Sequence, residues 1–451
     1  MTKLFGTDGI RGCANQYPIT AEMALRVGRS VAFLIGQEKN KKKDRILVGK
    51  DTRLSGTMLE HAIAAGVCSM GADVSLTGIL PTPGVAHAAA SLNADAGIVI
   101  SASHNPYSDN GIKIFNGKGF KLSKEKEGQI EKLVLDHKIV SPAASPQEIG
   151  RICFLKDAVR NYADFLKSST PHDFSLKGLK IVIDCANGAT FQTAPIVFTE
   201  LGGDVIQLFS DPDGININRE CGSENPELLV KRVIAERADI GLAFDGDGDR
   251  LIAVDEKGQI ASGDQILAVC AAFLKERGRL QHNLLVSTVM SNIGLGIALK
   301  KMGIEHHVSD VGDRYVMEKM VALDAVVGGE ASGHLLFLDH HTTGDGILAG
   351  LKLLEVMIQR STPLSELVKI MDIFPQELIN VDVKKKPDLE TVPEVTQVIK
   401  SVEKKLGDKG RVLVRYSGTQ PVCRVMVEGP SVSETREHCS RIAGVVKNIL
   451  G

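Results

Sequence analysis

Ile240-Gly241-Leu242-Ala243-Phe244-Asp245-Gly246-Asp247-Gly248-Asp249-Arg250 is an apolar run that breaks into three carboxylates at every second position. An apolar run this short, without polar alternation, fits a strand buried on both faces, as in α/β layers. The glycines between the acids let the backbone fold tightly, so that Asp245, Asp247 and Asp249 can converge on one hard divalent cation. Oxygen-only ligands favour Mg²⁺, Mn²⁺ or Ca²⁺ over zinc. An EF-hand is the rival reading, because Asp245, Asp247, Asp249 and Glu256 would fill its loop positions 1, 3, 5 and 12. Against it, Arg250 stands where that loop needs its turn glycine, and the flanks read as strands.

The same texture extends outward along the chain. Ile46-Leu47-Val48-Gly49, Gly97-Ile98-Val99-Ile100, Lys180-Ile181-Val182-Ile183-Asp184 and Leu284-Leu285-Val286-Ser287 are further buried-strand candidates. Residues 55–70 and 226–236 space apolar side chains at three and four, as amphipathic helices do. A strand, a Gly or Asp turn and a helix recur near 46–70, 180–202 and 284–303, as weak structural echoes rather than a countable repeat. Alternating strand and helix over most of the chain predicts several α/β units. Candidate boundaries lie at 141–150, at the turn 255–258 and at 370–376, dividing the chain into 1–150, 151–255, 256–371 and 372–451. After Glu377 the pattern becomes a strand at 379–383, a charged helix at 392–406, strands at 411–415 and 423–428 and a last helix from about Ser433. That tail predicts a small two-layer α+β domain.

Four further loops carry chemistry. Ser101-Ala102-Ser103-His104-Asn105-Pro106 follows an apolar strand, so Ser103 lies just past its carboxyl end, where α/β ligand sites gather. Its hydroxyl is a candidate phosphoryl carrier. A phosphoserine bears about −1.5 to −2 charges near neutral pH and needs countercharge before another anion approaches. Together with the aspartate loop this points to metal-assisted phosphoryl transfer through a serine. Asp109-Asn110-Gly111 reads as a turn, and residues 112–115 as the returning strand. A Gly-x-Ser-x-Gly elbow is absent, so a hydrolase-type nucleophile is not supported. Gly328-Gly329-Glu330-Ala331-Ser332-Gly333-His334 offers a carboxylate, a hydroxyl and an imidazole suited to sugar hydroxyls or an amine. Arg415-Tyr416-Ser417-Gly418-Thr419-Gln420-Pro421 with Arg424 reads as a phosphate clamp. Gly6-Thr7-Asp8-Gly9-Ile10-Arg11-Gly12 sets a cation in a glycine-rich loop. Neither a Walker phosphate loop nor a dinucleotide fingerprint is present.

Composition narrows the classes. The 451 residues allow about three domains by the prior of one per ~150. A net charge of −2 and 4% aromatics supply neither the electrostatics nor the stacking surfaces for nucleic acid. The eight cysteines include no Cys-x-x-Cys pair, and several lie in apolar runs where buried free thiols are expected. The start of the chain lacks the apolar stretch of a signal peptide, and no run approaches a bilayer span. A reduced, soluble, cytoplasmic protein is expected.

Taken in order, these five loops resemble the α-D-phosphohexomutase superfamily over essentially the whole chain, and most of all its bacterial glucosamine-phosphate branch. Residues 5–12 and 100–113 carry the likeness, as do Asp184-Cys185-Ala186-Asn187-Gly188-Ala189 and Val311-Gly312-Asp313-Arg314-Tyr315-Val316. The resemblance implies three related α/β domains with mixed sheets, plus a smaller C-terminal α+β domain, around a central cleft. It implies interconversion of glucosamine 6-phosphate and glucosamine 1-phosphate, on the route to UDP-N-acetylglucosamine, in a monomer or homodimer whose partners are sugar phosphates and neither nucleic acid nor membrane. By motif match Ser103 is the phosphoserine, and one Mg²⁺ per chain is held by its phosphate with Asp245, Asp247 and Asp249. A sugar 1,6-bisphosphate is intermediate and activator. Glu330 and Ser332 read the sugar. Arg415, Ser417, Gly418, Thr419 and Arg424 grip the phosphate that is not transferred. Arg11, Lys113 and His334 stand near the reacting groups, with Lys113 and His334 both candidates for the proton carrier. Ala331 and Gln420 depart from the branch's usual residues. The rival within the family is a phosphomannomutase/phosphoglucomutase of the same mechanism; outside it stand a phosphatase and a non-catalytic sugar-phosphate sensor.

Overall fold

The computed structural model describes residues 3–6, 8–37, 44–136, 144–417 and 421–451. Two compact units divide it, Met1–Val289 with Glu305–Val368 and Met290–Ile304 with Lys369–Gly451.

Three sheets share one four-strand plan. In the first, Arg45–Lys50 is central and parallel to Asp73–Ile79 on one side and to Ala96–Ile100 on the other, and Asp109–Asn116 returns antiparallel to Ala96–Ile100. In the second, Lys180–Asp184 is parallel to Asp204–Leu208 and Ile240–Phe244, with Leu251–Asp255 antiparallel to the latter. In the third, Leu284–Thr288 is parallel to Glu305–Ser309 and Val327–Gly329, and Leu335–Phe337 returns antiparallel. The faint echoes in the sequence are thus a threefold repeat of strand order. The loops around Ser103, Asp245 and Glu330 are the same connection in each repeat, between the third parallel strand and the antiparallel one. The third strands Ala96–Ile100 and Ile240–Phe244 are buried along their whole length, as their unbroken apolar runs predict.

The structure corrects one local reading. Asp109-Asn110-Gly111 is not a turn but the start of the strand Asp109–Asn116, paired with Ile10–Cys13. Tertiary pairing overrides the local propensity: Asn110 is fully buried and donates to Ser55 Oγ at 2.8 Å. Gly111 is needed because a Cβ there would lie 2.5 Å from the Ser101 carbonyl oxygen. Two sheets also run past the expected boundaries. Ile152–Phe154 pairs with Asp73–Ile79 in the first sheet, so that sheet continues beyond 150. Ile260–Ala261 pairs with Leu251–Asp255, so the turn at 255–258 is a hairpin inside the second sheet.

The second unit carries the antiparallel sheet Gln376–Asp382, Val422–Glu428, Arg411–Tyr416. Helices Pro393–Leu406 and Val432–Leu450 share its core through Val395, Val402, Ile442 and Val446. This is the α+β tail the sequence predicts. The helix Ile293–Lys301 belongs to the same unit: its first amide donates to Glu428 Oε2 at 3.1 Å, and Asn292 caps it at Gly294. Among the described residues no helix is long and apolar enough to cross a membrane. None of the eight cysteines is in a disulfide, and six are buried.

Candidate active site

Ser103 stands at the end of its strand with a left-handed backbone, φ +53°, and is 1% exposed. A non-glycine residue in that region stores strain that its surroundings must hold. They do so by a buried network. The Ser103 amide donates to Ser101 Oγ at 2.9 Å, and Ser101 donates to Asp51 Oδ2 at 2.6 Å. Asp51 pairs with Arg53 at 2.8 Å, and Arg53 donates onward to the carbonyls of Ser103, Asn105 and Asp109. Asn218, from the second repeat, donates to the Ser103 and Asn105 carbonyls at 2.8 and 3.0 Å. The hydroxyl left over points across the repeats and donates to Asp245 Oδ2 at 2.5 Å.

Among the described residues, Asp245, Asp247 and Asp249 are the acidic group whose ligand oxygens converge, all within 4.8 Å of one another. Lys113 bridges two of them, at 2.8 Å from Asp247 and 3.2 Å from Asp249, and Thr82 donates to Asp247 at 2.5 Å. Oδ1 of Asp247 and Oδ1 of Asp249 are buried with no hydrogen-bond partner. Buried carboxylate oxygens without partners are costly, so this donor set fits a hard divalent cation. Burial, then the charges of Asp249 and Asp247, drive the Asp245 carboxyl well above the ordinary value. Burial alone would lower the Lys113 ammonium, but Asp247, Asp249 and Asp8 hold it well above the usual range, so it is cationic here.

The metal loop rests on the turn Asp184-Cys185-Ala186-Asn187-Gly188. A Cβ at Gly188 would lie 2.4 Å from the Gly246 carbonyl oxygen and 2.7 Å from its Cα. Gly188→Ala is therefore expected to displace the aspartates and to cost about tenfold or more in activity, with weaker Mg²⁺ binding by calorimetry. Unchanged metal affinity would show that the loop absorbs the shift.

Facing Ser103 is a cavity of about 480 Å³, within the range of small-ligand sites, lined among others by Arg11, Ser103, Asp249, Arg250, Glu330 and His334. Arg11 donates to the Ala102 carbonyl at 3.3 Å and pairs with Asp8. His334 is 3% exposed, with Nδ1 3.6 Å from Asp249 and Nε2 3.9 Å from Asp313. Burial opposes its charge, but Asp249 and then Asp313 and Glu330 raise its pKa. Glu330 accepts from the Gly312 amide at 3.1 Å. Ser332 is exposed at the tip of the same loop. One unit thus gathers Arg11, Ser103 and Lys113 from the first repeat, the aspartates from the second, and Glu330 and His334 from the third, while Ser332 is not among the residues lining the cavity.

In the second unit, Arg415 and Arg424 are direct register partners on neighbouring strands, so both side chains stand on one face. Like charges directly opposed across strands cost stability, which a bridging anion would relieve. Ser417 is buried beside them, and Lys386 donates to its carbonyl at 2.8 Å. Gly418 and Thr419 lie outside the described residues.

The sequence matches the phosphoglucomutase/phosphomannomutase family in four consecutive stretches: α/β/α domain I at residues 2–139, domain II at 160–258, domain III at 262–374 and the C-terminal domain at 378–445. The chain belongs to this family. Curated relatives named phosphoglucosamine mutase include those of Syntrophus aciditrophicus, 57% identical over 451 residues and all of both chains, and Myxococcus xanthus, 52% identical over 99% of this chain and 97% of its own. A phosphoglucomutase/phosphomannomutase family structure from Burkholderia thailandensis superposes with a TM-score of 0.81 at 25% identity, covering 99% and 98% of the two chains. The Aspergillus fumigatus N-acetylphosphoglucosamine mutase, solved with GlcNAc-6P and magnesium, shares the fold at a TM-score of 0.65 and 18% identity, over 99% and 96%.

For this family member, sequence reading missed the residues that hold the site: Arg53, Asn218, Thr82 and Lys121. Arg53 follows a strand end in Lys50-Asp51-Thr52-Arg53, the same position that drew attention to Ser103, and could have been found by it. Asn218 and Thr82 carry no local pattern, because their partners lie 115 and 165 residues away.

Proposed function

We propose that this chain is a phosphohexomutase that interconverts glucosamine 6-phosphate and glucosamine 1-phosphate through a phosphorylated Ser103, feeding UDP-N-acetylglucosamine synthesis in the cytoplasm. The observation that carries the reading is the Ser103 hydroxyl 2.5 Å from Asp245, beside buried aspartate oxygens that accept no hydrogen bond and at the wall of a cavity lined by Arg11, Arg250, Glu330 and His334. Phosphoglucosamine mutase is the name of relatives matching over full length at 50–57% identity. The mannose/glucose alternative has less support for the same reason.

In the forward half-reaction a sugar hydroxyl attacks the phosphorus of phospho-Ser103. The Ser103 Oγ–P bond breaks as the sugar O–P bond forms, giving a 1,6-bisphosphate. Arg11, held by Asp8, and Lys113 stabilise the transferring oxygens. The hydroxyl proton passes to His334 and returns in the second half-reaction; Lys113, the other candidate, is held cationic by Asp247, Asp249 and Asp8 and has no lone pair to accept it. Glu330 and Ser332 orient the sugar ring, and Arg415, Ser417, Gly418, Thr419 and Arg424 hold the standing phosphate. The intermediate then turns end for end and returns its other phosphoryl group to Ser103. Asp245, Asp247 and Asp249 would hold one Mg²⁺ together with the Ser103 phosphate, and the cation supplies charge neutralisation on the transferring group. A sugar 1,6-bisphosphate would prime the serine. The division of labour among four domains, phosphoserine, metal, sugar and clamp in chain order, is part of this proposal.

The test is kcat/KM for glucosamine, glucose and mannose 6-phosphates with Mg²⁺ and a bisphosphate activator. A preference for glucosamine 6-phosphate of about a hundredfold, about 2.7 kcal/mol of differential transition-state binding, is expected. Equal or better rates on glucose or mannose phosphates would reassign the substrate, and net release of inorganic phosphate would make the chain a phosphatase.

A further inference from the structure

Residues 119–127 of the first repeat meet residues 313–315 and 342 of the third in a set of polar contacts. Glu127 and Arg314, both nearly buried, form a two-point ion pair, one contact of which is 2.7 Å. Lys124 donates to the Tyr315 hydroxyl at 2.8 Å and lies over its ring at 4.3 Å. Thr342 donates to the Gly119 carbonyl at 2.7 Å. Lys121 pairs with Asp313, completing a row in which residues spaced by three face three consecutive ones.

Lys121 differs from the rest of this row because it also reaches the reacting groups. Its ammonium takes Asp8 Oδ1, while Arg11 and Lys113 share Asp8 Oδ2, Lys113 at 3.2 Å. Three cations thus divide one carboxylate. With Oδ1 occupied, the carboxylate plane is fixed and Oδ2 faces Arg11. Without Lys121, Asp8 can turn and take the guanidinium by two oxygens, the geometry Arg prefers, drawing Arg11 from the Ala102 carbonyl beside Ser103. Asp313, which lines the Ser103 cavity, would also lose its ammonium partner and repel an incoming anion.

We propose that Lys121 is a positioning residue for phosphoryl transfer: by holding Asp8 against Asp313 it aims Arg11 at the transferring group. The role of Arg11 in transfer rests on the mutase reading; the aim of the guanidinium does not. Glu127 and Arg314 fasten the same two segments without touching Asp8, so they separate fastening from aiming.

The experiment compares Lys121→Met, Lys121→Arg and the double variant Glu127→Gln/Arg314→Met in the full chain. Lys121→Met is expected to lower kcat about a hundredfold and to change KM for glucosamine 6-phosphate less than about threefold, because the standing phosphate is gripped elsewhere. Lys121→Arg is expected to recover most of kcat, and the double variant to lower the thermal midpoint while keeping kcat. In parallel, calorimetry with inorganic phosphate and Mg²⁺, which needs no turnover, is expected to show binding weakened about tenfold in Lys121→Met alone. A Lys121→Met enzyme with kcat within twofold of wild type overturns the proposal, as does a double variant that loses kcat equally. If the wild-type chain converts no sugar phosphate, the mutase reading fails, and the phosphate titration still decides: unchanged affinity in Lys121→Met overturns the aiming role.

Discussion

Ser103→Ala is expected to lose at least about four orders of magnitude in kcat, on the order of 5 kcal/mol of transition-state stabilisation, while still binding glucosamine 6-phosphate. Neither half-reaction has another acceptor for the phosphoryl group, so no partial pathway remains. The loop should survive the change. Its shape is set by Arg53 and Asn218 on backbone carbonyls and by Ser101 on the backbone amide, none of which uses the Ser103 hydroxyl. Ser103→Gly sharpens the test. At φ +53° glycine relieves strain that both serine and alanine carry, so this variant should be inactive yet at least as heat-stable as the wild type. Intact mass before and after incubation with a sugar 1,6-bisphosphate completes it. A phosphoryl adduct on wild type and none on either variant is expected; an adduct on Ser103→Ala would move the carrier elsewhere.

Asp245→Asn should separate stability from activity in opposite directions. In the metal-free protein the Asp245 carboxyl is driven up by burial and by the charges of Asp249 and Asp247, and among the described residues no lysine pairs with it, since Lys113 sits between the other two. A carboxyl whose pKa is higher folded than unfolded binds more protons when folded. Its contribution to stability therefore falls as pH rises from the ordinary carboxylate value through the raised one. Asparagine keeps the shape and removes that loss. The metal-free variant should match or exceed the wild type in thermal midpoint at neutral pH, with a flatter pH dependence. Mg²⁺ should raise the midpoint of the wild type and not of the variant. Activity should fall by about two to three orders of magnitude, because a carboxylate ligand and the charge it supplies are gone. Since the cation displaces a proton from the triad, wild-type Mg²⁺ affinity should tighten with rising pH. A destabilised metal-free Asp245→Asn would mean that the aspartate is ionised and held by contacts other than the cation.

Much of this site is legible in the sequence because its chemistry is local. Alternating Asp and Gly after an apolar strand place three carboxylates around one point whatever the rest of the chain does, and the triad converges as expected. The buried strands and the α+β tail follow from patterns of two and of three to four, which short stretches carry by themselves. Asp109-Asn110-Gly111 shows where this fails: a strong turn composition yields to strand pairing once Asn110 is buried against Ser55.

Sequence alone singled out the loops that carry Ser103, the three aspartates, Glu330 with His334, and the paired arginines, because residue type at close spacing limits what a loop can bind. Tertiary structure decided that three of those loops are one repeated connection, that Lys113 stands between Asp247 and Asp249, and that Asp8 is shared by Arg11, Lys113 and Lys121. Those pairings join residues more than a hundred positions apart, or depend on which face of a strand meets which neighbour. Their energies come from burial and from opposed charges brought side by side, and neither exists until the sheets have packed.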